Sequence, residues 1–466
     1  MTDMASTISP DQASSAGSSL SRRPVPGPRG IPGLGVVPQI VRDPYGSFER
    51  IAREYGDVAR VPIPGMPFVL VSHPDHVKHI TNTRHKDYPK PELFRDILFR
   101  DAPRFHGMAN GDEWKRVRRV LNPKFTSRGL APLEELIVAA ITESVEDWDR
   151  FARSGEFVDI QEQLALVTMS VLLRSMFTRP ASRAEIERLA ESYLRITHGM
   201  AIAMLTTPLP NRIPRPFERR YTRAKEDVFA YIDAMVAERR QNPEVGEGDL
   251  LDMVLGAEFD DGSKLSDEHV RRELLGLIFG GYETTAAVMS WVLARLPRHP
   301  DALARAYDEV DALGGVRPGL DDMDRLPWLR ACFDECQRLQ GFSVNAREAT
   351  VDDEIGGFHI PAGTTVAFSG QRLHRDPRWW RDPEQFDPSR FLDDDIDTYA
   401  FLPFGVGPRR CLGMRMAYMV GLWTLATVMQ RYRFEHPPGW EPQPRFLFSS
   451  PVKGGVPVRL VPRTDP

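Results

Sequence analysis

The stretch "FLPFGVGPRRCLG", Phe401 to Gly413, sets one of the chain's three cysteines, Cys411, among three glycines, two prolines and the adjacent arginines Arg409 and Arg410. Helices and strands use cysteine as a small apolar filler, but this many chain-breaking residues describe a shaped loop that leads into a helix. A thiolate needs hydrogen-bond donors or positive charge to stabilise it. Gly405 and Gly407 let backbone N–H groups approach a sulfur closely, and Arg409 adds charge two residues upstream. The loop therefore reads as the site of a metal-ligand thiolate.

A structural zinc centre needs further ligands, and Cys332 and Cys336 have no histidine pair near them. A single thiolate suits haem iron, whose macrocycle supplies the other four ligands. With that chemistry in view, Phe404-x-x-Gly407-x-Arg409-x-Cys411-x-Gly413 is similar to the haem-binding loop of the cytochrome P-450 family. Three other segments carry the same resemblance.

In "LLGLIFGGYETTAAVMSWVLARL" an apolar helical pattern is interrupted by Gly280 and Gly281. Each glycine costs about 1 kcal/mol against alanine in a helix, so the pair calls for a compensating close approach or local distortion. Thr284 follows on the same face with Glu283 beside it. The segment resembles the family's oxygen-binding helix, where an acid and an alcohol relay protons to dioxygen. In "ECQR", Glu335 and Arg338 are spaced to pair on one helix face, and the resemblance adds Arg390 as third member of a buried ion network behind the haem loop. In "WKRVRR", Trp114 and Arg118 match the family's W-x-x-x-R segment. The resemblance then puts Arg118, Arg347 and Arg409 around the haem propionates, which need cationic donors. The chain departs from the family at Gly341-Phe342, where paired prolines are common.

Composition sets outer bounds. Hydrophobic residues at 41% and charged ones at 27% exclude a chain disordered throughout. The net charge of -5 gives no ground for a nucleic-acid partner. Three sparse cysteines argue against a disulfide framework and for a reducing compartment, hence the cytoplasm. No window approaches the roughly 20 apolar residues of a membrane span; Ala417 to Met429 comes nearest, so a soluble, bacterial-type protein without a membrane anchor is expected.

Residues 1–23 read as a disordered Ser/Ala/Gly tail and 24–466 as one domain. A helix from Tyr45 to Tyr55 precedes a hairpin split at Pro64-Gly65, and helical periodicity dominates from about Trp114 to Gln340. Extended runs return in "EIGGFHIPAGTTVAF" and in "FSSPVKGGVPVRLV", where Gly454-Gly455 suggests a tight hairpin. Strands at the two ends could share one sheet. The expected fold is mainly α with a small β region, a single large domain of the cytochrome P-450 kind. His73, His76 and His79 read as the capped start of a surface helix rather than a metal cluster, and Cys332 and Cys336 as buried fillers.

The resemblance implies a noncovalent haem b, since no CxxCH motif is present. Cys411 would be the axial ligand; Trp114, Arg118, Gly280, Gly281, Arg347, Phe404, Gly405, Arg409 and Gly413 would surround the cofactor, and Glu283 and Thr284 would be catalytic. It further implies a monomeric monooxygenase that takes O2, a lipophilic substrate and electrons from a ferredoxin or flavodoxin with its NAD(P)H reductase. Lys115, Arg116, Arg119 and Arg410 are candidates for that docking face. Leu93, Phe94, Ile97, Leu98, Phe99, Phe279 and Ser343 are candidate pocket residues, and Thr206 to Phe217 resembles a lid connection. A terpenoid is the expected substrate, with a polyketide or fatty acid open. A peroxide-driven or isomerising haem-thiolate enzyme, or a haem sensor, would share Cys411 with this reading.

Overall fold

The computed structural model describes residues 23–92, 105–205, 218–244, 248–259, 261–316, 318–341, 344–392, 395–445 and 449–463. Its axis is a 29-residue helix, Asp267–Arg295, whose start is fixed locally: the Ser266 side chain accepts from the His269 N–H, and Asp267 and Glu268 occupy the positive first turn. Apolar side chains all round that helix are buried because other helices enclose it. Ile160–Phe177, Pro327–Gln340 and Met414–Arg431 pack against it, and Trp148, Trp291 and Trp423 fill the interior between these elements. By length and composition Asp267–Arg298 could cross a membrane, contrary to the sequence-based expectation that no segment could; 72% of its apolar window is buried, as in a core helix.

Three small sheets accompany the helical body among the described residues, the smallest being the antiparallel pair Asp353–Ile355 and Phe358–Ile360. The hairpin at Pro64-Gly65 forms, with Val58–Arg60 (β1) antiparallel to Phe68–Val71 (β2), an Ile63–Met66 bridge, and Gly65 in the left-handed region at φ 74°. Next to β2 lies Thr365–Ser369, in parallel, and next to that Val344–Glu348, antiparallel. N-terminal strands thus share a sheet with strands that follow the helices.

The C-terminal segment does not join them. Pro457–Pro462 pairs with Tyr432–Glu435 and with Val158–Asp159 in a separate sheet. Gly454 and Gly455 make a left-handed turn, yet among the described residues the runs they separate do not pair with each other. The reason lies at Asp159, whose carboxylate accepts from the Val456 and Gln161 N–H groups and turns the chain toward its distant partner.

The early helix is Pro44–Tyr55. His73 caps the short helix Pro74–Lys78 by accepting from Asp75 N–H, and His79 bonds Asp353 at 2.8 Å. Among the described residues no histidine or acid cluster is arranged to hold a metal. Cys332 and Cys336 are buried in Pro327–Gln340.

Candidate haem site

The Phe401–Gly413 run forms a loop against the start of Met414–Arg431, with Gly413 as the N-cap residue of that helix. Gly405 and Gly407 have φ of 65° and 68°, and a side chain on Gly407 would meet the Thr81 carbonyl oxygen at 2.3 Å. Only glycine suits both demands there. The Cys411 N–H donates to the Phe404 carbonyl at 2.8 Å, which closes the loop, and the Phe404 ring packs on Tyr418.

Cys411 borders a cavity of about 350 Å³ and keeps accessible surface only because it faces that space; protein atoms otherwise surround it. Burial pushes its thiol up, while the Gly413 N–H and the charges of Arg118 and Arg410 pull it down. The expected helper Arg409 is turned elsewhere. Its guanidinium donates to the Ala109 carbonyl and Asn110 and lies 4.0 Å over the Trp114 ring. Stabilisation of the thiolate thus comes from Arg118 and Arg410 rather than Arg409.

Arg409 belongs to a second feature of the cavity, a wall of cations. Lys90, Arg118, Arg347 and Arg409 all border it, and none forms an ion pair with a carboxylate among the described residues. Burial, then mutual repulsion with Arg347 and Arg118, pushes Arg409 down to about 9; burial pushes Arg347 down to about 10. Lys90 is driven well below its ordinary value by burial and by Arg347 and Arg409. The buried Nε of Arg118 has no acceptor. Such a concentration of unpaired cations is costly unless an anion fills the space between them. A dianionic macrocycle edge fits that demand, and haem propionates have this charge.

Opposite the loop, the central helix presents Gly280, Gly281, Thr284 and Phe279 to the same cavity. A side chain on Gly280 would enter open space, whereas one on Gly281 would press Leu172 at 2.9 Å. The Thr284 hydroxyl donates to the Gly280 carbonyl at 2.6 Å, a back-bond that holds it at the cavity surface. Glu283 does not border the cavity. It is buried on the neighbouring face, where its Oε1 accepts from Ser449 Oγ at 2.6 Å and its Oε2 is unpartnered. Burial raises its carboxyl above the ordinary range, against the hydrogen bond from Ser449 and the charge of Arg445. Ser449 does line the cavity, so it is the group that joins Glu283 to that space.

Behind the loop, Arg338 grips Glu335 through two bonds of 2.7 and 2.8 Å, and both side chains are fully buried. Arg390 reaches Glu335 at 3.4 Å, and Arg338 also donates to the carbonyls of His374, Pro383 and Gln385. Phe94, Leu98 and Ser343, with Leu93, Ile97, Phe99, Phe342 and the 206–217 connection, lie outside the described residues.

Sequence reasoning missed Lys90, Asn110, His106 and Ser449. Lys90 sits in "YPKPELF", where flanking prolines gave no hint of a cation facing a cavity, and Ser449 is adjacent to Glu283 only through the tertiary fold.

The comparisons agree with this geometry. The family model described as Cytochrome P-450 matches residues 25–457. A "Ferruginol synthase" of Isodon rubescens is 26% identical, with 94% of each chain covered. A Mycobacterium tuberculosis relative with only a family-level name, cytochrome P-450 132, is 32% identical over 86% of this chain and 89% of its own. The "Cyclooctat-9-en-7-ol 5-monooxygenase" of Streptomyces melanosporofaciens is 29% identical over 88% and 90%. Plant and bacterial chains are thus both among the relatives, and a bacterial type is not singled out. With the cysteine loop, the cationic wall and the threonine-bearing helix around one cavity, and the family match over nearly the whole chain, the chain belongs to the cytochrome P-450 family of monooxygenases, a membership that implies a haem held by a cysteine thiolate.

Proposed function

We propose that the protein hydroxylates or epoxidises a terpenoid, using one oxygen atom of O2 and electrons from a ferredoxin or flavodoxin with its NAD(P)H reductase. For hydroxylation the balance is R–H + O2 + 2e⁻ + 2H⁺ → R–OH + H2O. The names of the plant and Streptomyces relatives support terpenoid chemistry, and the cavity's apolar side, including Leu172, Met176, Leu250, Leu277 and Phe279, suits a lipophilic substrate. The observation that carries the reading is that Cys411 and Thr284 border a single cavity whose other wall is Lys90, Arg118, Arg347 and Arg409.

When bound, haem b supplies reductive activation of O2. The chain's own residues do the rest. Cys411 Sγ would hold the iron, and the cation wall of Lys90, Arg118, Arg347 and Arg409 would hold the propionates, with Trp114 beneath Arg409 fixing that guanidinium. Thr284 Oγ1 presents a hydroxyl to the oxygen side and moves a proton there. Glu283, protonated more readily because it is buried, exchanges protons with the cavity through Ser449 Oγ. The enzyme acts as a monomer in the cytoplasm.

The test is the absorption spectrum of the dithionite-reduced protein with carbon monoxide. A strongly red-shifted Soret band in wild type that vanishes in Cys411→Ala is expected; a wild-type spectrum of histidine ligation refutes the assignment. Thr284→Ala should consume electrons with less product, and unchanged coupling would favour the peroxide-driven alternative.

A further inference from the structure

The central helix carries a second polar device two turns before Gly280. Glu273 is 1% exposed, and both of its oxygens are committed to His106: Oε1 accepts from the His106 backbone N–H at 2.7 Å and Oε2 meets ring Nδ1 at 2.6 Å. One turn on, Gly276 leaves room for the Phe105 ring, which a side chain there would meet at 2.3 Å. Glu273 and Gly276 lie on one helix face. Together they clamp the Phe105-His106 backbone and fix the plane of the imidazole.

A clasp of the loop alone needs only the backbone bond and Nδ1. The other ring nitrogen, Nε2, has no hydrogen-bond partner among the described residues, and His106 borders the cavity whose lining also includes apolar Leu172, Met176 and Leu277. A polar atom held in such surroundings gains from a ligand that pairs with it.

We propose that His106 is a specificity-determining residue: its Nε2 anchors a hydroxyl group of the lipophilic substrate at a point away from the carbon to be oxidised. With Nδ1–H donated to Glu273, a neutral ring offers Nε2 as acceptor, and a protonated ring offers it as donor. A hydroxyl can answer either form, whereas a ketone answers only the second, so the favoured substrate class is an alcohol rather than a hydrocarbon. This rests on the monooxygenase reading above and deepens it.

The test is equilibrium binding to the haem-loaded protein, read from the Soret shift, with two matched pairs: a diterpene hydrocarbon and its monohydroxylated counterpart, and dodecane and 1-dodecanol. The variants are His106→Asn, whose amide keeps a donor for Glu273 but has nothing in place of Nε2, and His106→Gln, whose longer amide reaches toward the Nε2 position. Wild type should bind the alcohol of a pair roughly threefold to tenfold tighter than the hydrocarbon. His106→Asn should bind both members equally, and His106→Gln should keep part of the preference. Should His106→Asn fail to load haem, His106→Leu is compared in its place.

Equal alcohol-to-hydrocarbon ratios in wild type and His106→Asn overturn the inference while leaving terpenoid binding intact. If diterpenes do not bind but the dodecanol preference disappears in His106→Asn, the anchor stands and the terpenoid assignment falls. Binding of neither pair overturns both.

Discussion

At the scale of single residues, the cation wall has a consequence that can be measured without any substrate. Burial pushes the pKa values of Lys90, Arg347 and Arg409 down, and repulsion from neighbouring cations of the wall adds to that cost at Lys90 and Arg409. Removing one cation should relieve the haem-free protein and weaken the haem-bound one. Lys90→Met is therefore expected to raise the stability of the haem-free form by about 1–3 kcal/mol, as when buried charge is replaced by an apolar side chain. Haem release should quicken by roughly tenfold, since one charge-assisted bond to a propionate is lost. Denaturant melts and haem transfer to apomyoglobin measure the two effects, and a change of the same sign in both would contradict the role given to Lys90. Ser449 permits a similar separation. Ser449→Ala removes the hydroxyl that donates to Glu283 Oε1, so proton supply should slow and electrons be wasted as peroxide, while Ser449→Thr restores coupling; the infrared carboxyl band of Glu283 should shift in the alanine variant alone.

At the scale of elements, helix and loop are tuned against each other. Gly280→Ala puts a methyl into open cavity space and improves helix propensity by about 1 kcal/mol, so the haem-free protein should become slightly more stable as turnover falls. Gly281→Ala lacks that freedom because Leu172 lies at 2.9 Å. The network behind the cysteine loop is less forgiving. Arg338→Leu would take from the buried Glu335 its two-bond partner, leaving Arg390 and the Asp387 N–H, and would strip a donor from the carbonyls of His374, Pro383 and Gln385, at a cost of about 3–5 kcal/mol. His374 ties the same network to the loop, since its Nε2 accepts from Leu402 N–H at 2.8 Å and its Nδ1 bonds the Arg338 carbonyl. Burial, then the charges of Arg338 and Arg375, hold its pKa down to about 3 from the ordinary 6.5. The folded state thus binds fewer protons than the unfolded one between these values, so its stabilisation is complete above pH 6.5 and is lost as pH falls toward 3. Asp334, pushed up to about 6 by burial, acts in the opposite direction over the upper part of that window. The comparison of variants is therefore the measurement: thermal stability of His374→Gln, which keeps an acceptor for Leu402, should fall less steeply with acid than that of wild type.

At the scale of the whole molecule, the sequence was most legible where local chemistry and tertiary role coincide. The glycines, prolines and cysteine of Phe401–Gly413 must make a loop before any fold exists, and the Glu335–Arg338 spacing creates a pair within one helix turn. The C-terminal sheet was less legible, because pairing of Pro457–Pro462 with Tyr432–Glu435 rather than across Gly454-Gly455 depends on a carboxylate nearly three hundred residues away, Asp159. Surface charge was legible by sign and not by effect. Lys115 is paired with Asp112 and Arg116 with Asp261, each at 2.9 Å, and a cation neutralised at close range adds little to the field a partner meets. Arg410 differs: its side chain is exposed on the cysteine loop with no ion pair among the described residues, while its carbonyl accepts from Arg118. If the proposed acidic ferredoxin or flavodoxin docks at this face, Arg410→Gln should slow its association severalfold at low salt and flatten the salt dependence, whereas Lys115→Gln should change the rate by less than about twofold. Because Arg410 also favours the Cys411 thiolate, the carbon monoxide spectrum and direct dithionite reduction must be unchanged in the variant for the slowing to be assigned to docking. Equal rate losses in Arg410→Gln and Lys115→Gln would instead place the partner on a broader field of surface charge, to which local pairing makes no difference.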